Sequence, residues 1–169
     1  NRAHALRFPY NTQAALAVWR ALFFTPGAPQ PEPTQTAEYN RGAYLVNGLG
    51  HCTACHTPRN ALGATSDAKA FTGGLIPVQN WYAPALNAAH EAGVKEWTTE
   101  DVMALLKTGV APQGSVLGPM AEVVFRSTQY LSDADARAMA VYLQALPQQD
   151  GKARATVAVR PASAMARGG

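Results

Sequence analysis

Two cysteines are all that this 169-residue sequence contains, and both lie in one stretch, GLGHCTACHTPRN, residues 48 to 60. A disulfide-built fold is excluded, as is a four-thiolate zinc site, which lacks half its ligands. Long apolar runs are missing too: no segment approaches the roughly 20 consecutive apolar residues that cross a bilayer as a helix. No basic stretch followed by an apolar run and a cleavage site opens the chain at Asn1, so the expectation is a processed chain or a piece of a longer one. Acidic residues are scarce at the two ends. Residues 37 to 150 hold seven Lys/Arg against ten Asp/Glu, so the net charge of +3 is owed to the termini. A mildly acidic central region repels phosphate, which argues against a nucleic-acid partner.

What is present fits one domain with modest extensions: 47 % of residues are hydrophobic, enough at this length to bury a core. Residues 1 to 35 form an N-terminal part. Within it FPYNTQAALAVWRALFFTPG reads as a helix capped by Asn11 or Thr12 and stopped by Pro26 and Gly27. Leu16, Val18, Trp19, Leu22, Phe23 and Phe24 surround that helix on nearly every side, so it requires burial against something. APQPEPTQT, with three prolines in nine residues, is an extended connector. The domain proper occupies residues 36 to 150. EYNRGAYLVNG is a helix ending at Gly48 that delivers the cysteine pair on the following loop, and residues 60 to 96 read as loop wrapped around some other source of order. TTEDVMALLKTG is a helix capped by Thr98 and ended at Gly109, VAPQGSVLGPM a loop ending at Met120, and LSDADARAMAVYLQALP a helix capped by Ser132 and stopped by Pro147. Residues 151 to 169 lack periodicity and read as a flexible basic tail. No strand-period run is long enough to build a sheet, so the fold class is all-α.

Three chemistries use a cysteine pair with a histidine directly after it. A thioredoxin-like pair follows a strand and opens a helix, whereas Cys52 and Cys55 follow a helix with no βαβ pattern around them. A zinc site could recruit His51 or His90 beside Cys52, Cys55 and His56, but the spacing is not that of the common structural types. In c-type haem attachment two thiols bond the two vinyl groups on one porphyrin edge and the next residue lies under the iron, so one rigid ligand fixes all three positions of C-x-x-C-H. A ligating His56 must then be neutral at the bonding nitrogen, its other nitrogen donating to a fixed acceptor, and the carbonyl at or near Pro58 is the expected one. A large apolar plate also supplies the order that the long Gly- and Pro-rich loops require.

Together GAYLVNGLGHCTACHTPRN, NWYAPAL, the loop ending LGPM and YLSDADARAMAVYLQAL resemble a class I cytochrome c domain, over about residues 8 to 147. The resemblance is to the cytochrome subunits of bacterial membrane-bound alcohol, gluconate and sorbitol dehydrogenases. Those subunits resemble three such domains in a row, and this chain has one C-x-x-C-H. The resemblance implies helices wrapped with long loops around one covalent haem c, held by Cys52 and Cys55 with His56 on the iron, plus an N-terminal linker helix. It also implies that Gly42 and Val46 let the first and last helices of the domain cross closely, with Tyr142 packing near them.

Of the four methionines, Met103 and Met139 lie in helical patterns, Met139 at core spacing with Tyr142, Leu143 and Leu146, and Met165 lies in the tail. Met120 ends a Gly- and Pro-rich loop that can carry a thioether over a plate, and it matches the family's ligand methionine. His90 is the alternative ligand, and an open position the third. His4 and His51 read as ordinary surface or loop residues. Arg59, Trp81 and Tyr82 are candidates to bond the haem propionates, with packing or surface positions as the competing reading. A His/Met iron has no open site, so electron transfer is expected rather than catalysis, with a haem enzyme or gas sensor as the alternative. By resemblance the donor is a dehydrogenase subunit and the acceptor quinone or another cytochrome. The place is the periplasm at the outer face of the cytoplasmic membrane, within a larger complex and with peripheral membrane contact.

Overall fold

A computed structural model describes residues 5–76 and 79–149; the basic tail, with Met165, and His4 lie outside them. Helix α1 (Gln13–Phe23) starts where Thr12 Oγ1 accepts from Ala15 N. None of its residues is buried, and Leu22 is 65 % exposed. Trp19 Nε1 donates to the Leu62 carbonyl at 2.9 Å, joining the helix to the loop that follows the cysteine motif. The connector is pinned at its far end, where Asn40 both accepts from Glu32 N at 2.7 Å and donates to Glu32 O at 3.0 Å.

Helix α2 (Ala37–Tyr44) is capped by Thr36 and continues into a wider π-helical turn, Leu45–Leu49. It runs slightly past the expected stop at Gly48, because Gly50 N still bonds back to Leu45 O at 2.7 Å. A short helix α3 (Thr53–His56) carries the motif itself. After it come two three-residue strands, β1 (Gly74–Ile76) and β2 (Trp81–Ala83), paired antiparallel with Leu75 opposite Tyr82. Helix α4 (Thr99–Thr108) has both expected ends: Thr98 Oγ1 accepts from Asp101 N at 3.1 Å, and Gly109 closes it at φ 78°, where a side chain would be strained. Strands β3 (Val110–Ala111) and β4 (Gly114–Ser115) form a second minute hairpin, helix α5 is Pro119–Arg126, and helix α6 is Asp133–Gln144, capped by Ser132.

The fold is thus helical around its core, as expected. The two short ladders are the departure: each is too brief to show a period in sequence, and each pairs inside a loop.

The core lies where α2 crosses α6 and α4 packs alongside. Val46 is 0 % exposed, and Leu45, Val102, Leu106, Met139, Ala140, Leu143 and Leu146 surround it, with Phe71 and Val94 contributed by the loops. Met139 is core as its spacing indicates, and Met103 packs against the same cluster. The crossing is as close as two backbones allow, since a Cβ on Gly42 would overlap the Ala138 carbonyl oxygen and approach Tyr142 Cβ to 2.8 Å. Tyr142 seals the crossing, its ring edge-on to Tyr39 with centroids 5.2 Å apart and its hydroxyl accepting from Asn47 Nδ2 at 2.8 Å. Outside it, Arg41 binds Asp135 through two bonds of 2.8 and 3.1 Å, holding that carboxyl below its usual range, and Arg137 reaches Glu38. These pairs are partly exposed and orient the helices more than they stabilise them.

Replacing Gly42 with alanine forces the helices apart at this point. Chemical denaturation should register a loss of about 1–3 kcal/mol, and a loss under about 0.5 kcal/mol would contradict the close crossing.

Candidate functional site

The motif is set by a sharp reversal. His51 takes φ 50° after the π-helical turn, and Cys52 N then donates to Val46 O at 3.1 Å, so the first thiol starts from the core. Cys52 packs against the core cluster, and Cys55 is also half-buried. The sulfurs are not joined to each other. Burial pushes the Cys52 thiol up to about 11. Thiols that exchange disulfides are shifted the other way, and among the described residues no strand precedes the pair, so both observations weigh against a redox motif. Among the described residues no group of three His, Cys, Asp or Glu side chains is arranged to hold a metal.

His56 closes the helix and is buried, 9 % exposed. Its Nδ1 lies 2.7 Å from the carbonyl oxygen of Pro84. A carbonyl can only accept, so Nδ1 carries the proton and Nε2 keeps a bare lone pair. Burial lowers the His56 pKa, disfavouring the imidazolium and holding the ring in the neutral form that binds metals. The acceptor is therefore Pro84 and not the expected carbonyl near Pro58. Chain direction explains the difference: Thr57 turns extended after the helix and carries Pro58 onward, while the strand from Trp81 to Ala83 brings Pro84 to the ring edge at Nδ1.

That return is built by backbone proximity. Gly73 N donates to His56 O at 3.0 Å, Phe71 N donates to Thr57 Oγ1 at 3.2 Å, and a Cβ on Gly74 would lie 2.6 Å from Thr57 O and 2.9 Å from Cys55 O. Thr57 is itself buried.

Arg59 serves a local purpose. Its guanidinium donates to Gly63 O at 2.7 Å and Ala54 O at 2.9 Å, clamping the loop onto α3. The Tyr82 hydroxyl bonds Glu91, and the Trp81 ring lies against Gly118, so both aromatic residues have partners within the protein. His90 is exposed and borders a surface cavity with Pro58, Tyr82 and Glu91.

Met120 is not the end of a loop. It is the second residue of α5, half-buried, behind Gly118 at φ 53° and Pro119 at the first helical position. Proline there is a helix-start signal, because its missing N–H would be unbonded anyway. A Cβ on Gly118 would lie 2.5 Å from Trp81 Cζ2. One short segment, residues 81 to 84, thus touches both ends of the site: Pro84 holds His56, and Trp81 packs under the turn that starts the Met120 helix. Pro84 and Glu91 are the residues that sequence reasoning missed. NWYAPAL flagged the segment, but a carbonyl 28 residues from its histidine leaves no spacing signal.

The donor set suits a c-type haem: two unpaired thiols three residues apart and an imidazole with Nε2 bare. The surface suits it as well, with Leu117 and Val123 exposed on the segment that carries Met120 and Trp81, also exposed, beside Gly118. Such apolar surface accepts an apolar plate.

Comparison with known proteins agrees. The family model for cytochrome c matches residues 39–147. A subunit of nicotinate dehydrogenase from Pseudomonas putida is 43 % identical over 145 residues, 85 % of this chain and 12 % of that protein. The cytochrome c subunit of alcohol dehydrogenase (quinone) from Gluconobacter oxydans is 40 % identical over 156 residues, 87 % of this chain and 32 % of the subunit. A diheme cytochrome c-type protein of Cereibacter sphaeroides is 39 % identical over 147 residues, 85 % of this chain and 47 % of that one. The chain spans less than half the length of each.

Gly118→Ala places a side chain at positive φ and into the Trp81 ring. We expect a stability loss of about 1–3 kcal/mol, against almost none for Gly114→Ala, where nothing lies within 4 Å. Equal denaturation midpoints for the two variants would contradict the Trp81–Gly118 packing.

Proposed function

The chain belongs to the cytochrome c family, and on that premise we propose that it is a one-haem electron carrier with His56 and Met120 as axial ligands, serving a dehydrogenase complex. The observation that carries this reading is the bond from His56 Nδ1 to Pro84, which fixes a neutral imidazole beside two free thiols. When bound, the haem supplies a one-electron couple with no proton chemistry. Cys52 and Cys55 would hold it by thioether bonds, which would keep it on the chain even when packing loosens. His56 offers Nε2 and Met120 its thioether. With both residues on the iron, no position would be left for substrate, and the methionine would raise the potential relative to two histidines.

A single haem is supported by the one C-x-x-C-H in a chain that covers 47 % of a protein named diheme. The donor is a dehydrogenase subunit, by analogy with the relatives named as parts of alcohol and nicotinate dehydrogenases. The acceptor is quinone or another cytochrome. Thioether attachment is chemistry carried out beyond the cytoplasmic membrane, which puts the domain at the periplasmic face. No helix among the described residues is long and apolar enough to cross a membrane. Helix α1, with Leu16, Val18, Leu22 and Phe24 exposed, serves as a docking or interdomain helix toward a neighbouring domain or the dehydrogenase.

Met120 provides the test. In the reduced Met120→Ala protein carbon monoxide binds readily without denaturant, while the parent protein resists it. Met139→Ala and Met103→Ala leave the ligand-binding spectrum unchanged, Met139→Ala losing about 2–4 kcal/mol of stability. A parent protein that itself binds carbon monoxide rapidly has an open distal site and belongs with haem enzymes or gas sensors instead.

A further inference from the structure

The carbonyl that holds His56 belongs to the peptide group joining Pro84 to Ala85, and the other end of that group is engaged as well. Ala85 N–H donates to Glu91 Oε2 at 2.7 Å. The same carboxylate accepts from the Tyr82 hydroxyl, at 3.0 Å to Oε2 and 3.3 Å to Oε1. A continuous hydrogen-bonded line therefore runs from the Glu91 carboxylate through one peptide unit to the imidazole: carboxylate to N–H, carbonyl to Nδ1–H.

The geometry is held from several sides. Ala85 is buried, its carbonyl accepts from Ala92 N at 3.0 Å, and Ala88 O accepts from both Glu91 N and Gly93 N. Gly93 is needed for that tight turn, since a Cβ there would lie 2.7 Å from the Ala88 carbonyl carbon. Gly73 makes room for the Tyr82 hydroxyl, which a Cβ at 73 would overlap.

We propose that Glu91 is a positioning residue that strengthens the His56–Pro84 bond through the shared peptide and thereby lowers the reduction potential of the bound haem. The proposal rests on the haem reading above. A charged acceptor on the N–H polarises the amide and leaves more electron density on the carbonyl oxygen. That oxygen then accepts more strongly from Nδ1–H, and the imidazole becomes a more basic ligand at Nε2, which favours the ferric state.

Glu91→Gln keeps an oxygen that can accept from Ala85 N but removes the charge. In the haem-loaded protein we expect the midpoint potential to rise and the His56 Nδ1–H proton resonance of the ferrous form to move upfield. Tyr82→Phe removes a donor that draws charge from the carboxylate while leaving the Ala85 bond, so both readings should move the opposite way. If Glu91→Gln fails to assemble with haem, the sign of the Tyr82→Phe shifts decides alone. Unchanged potentials, or a shifted potential with the Nδ1–H resonance unmoved, would overturn the relay, the second outcome leaving Glu91 as a through-space charge only. A parent protein without a histidine-ligated haem overturns instead the reading on which the relay rests.

Discussion

The bond between His56 and Pro84 is the constraint around which the site is arranged. A buried imidazole must satisfy its polar nitrogen or lose on the order of 1–3 kcal/mol, and here the partner is a carbonyl brought from a distant loop. To bring it there the chain folds residues 71 to 74 against the backbone of residues 55 to 57, which demands glycine at position 74. The short ladder of β1 and β2 then turns the chain back so that Pro84 lies beside the ring. A long loop acquires a fixed path from one tautomer requirement together with a few backbone bonds.

The helical core and this loop system divide the work. The core is built from α4, α6 and the π-helical turn that continues α2, with Phe71 and Val94 added by the loops. Cys52 is the link between the two, since its amide bonds the carbonyl of Val46, a fully buried residue of the core. Rigidity thus reaches the first thiol directly and His56 through the helix of one turn that follows. Trp81 performs the corresponding service on the far side by packing under Gly118. An electron carrier benefits from such bracing, because a site that moves little between oxidation states has little to reorganise.

Much of this is legible in the sequence where the signal is local. Thr98 with Asp101 and Ser132 with Asp135 announce their helix starts, Gly109 its stop, and Gly42 the close crossing, because each depends on residues within a turn or on the lack of a side chain. C-x-x-C-H is legible for the same reason, as one rigid ligand would dictate its spacing. Met120 stands out as a candidate, yet its sequence context reads as loop. The Gly118-Pro119 pair looks like a loop ending, while it is equally a glycine at positive φ followed by proline at the first helical position. Pro84 and Glu91 are not legible. A backbone carbonyl has no sequence identity, and its pairing with His56 exists only once residues 71 to 93 have folded around it.

The central claim is that His56 and Met120 together fill the axial positions of a single covalent haem. The optical spectrum of the ferric protein at neutral pH tests it most directly. A low-spin spectrum with the weak long-wavelength methionine-to-iron charge-transfer band is the predicted result. A high-spin spectrum, or a low-spin one without that band, would contradict it.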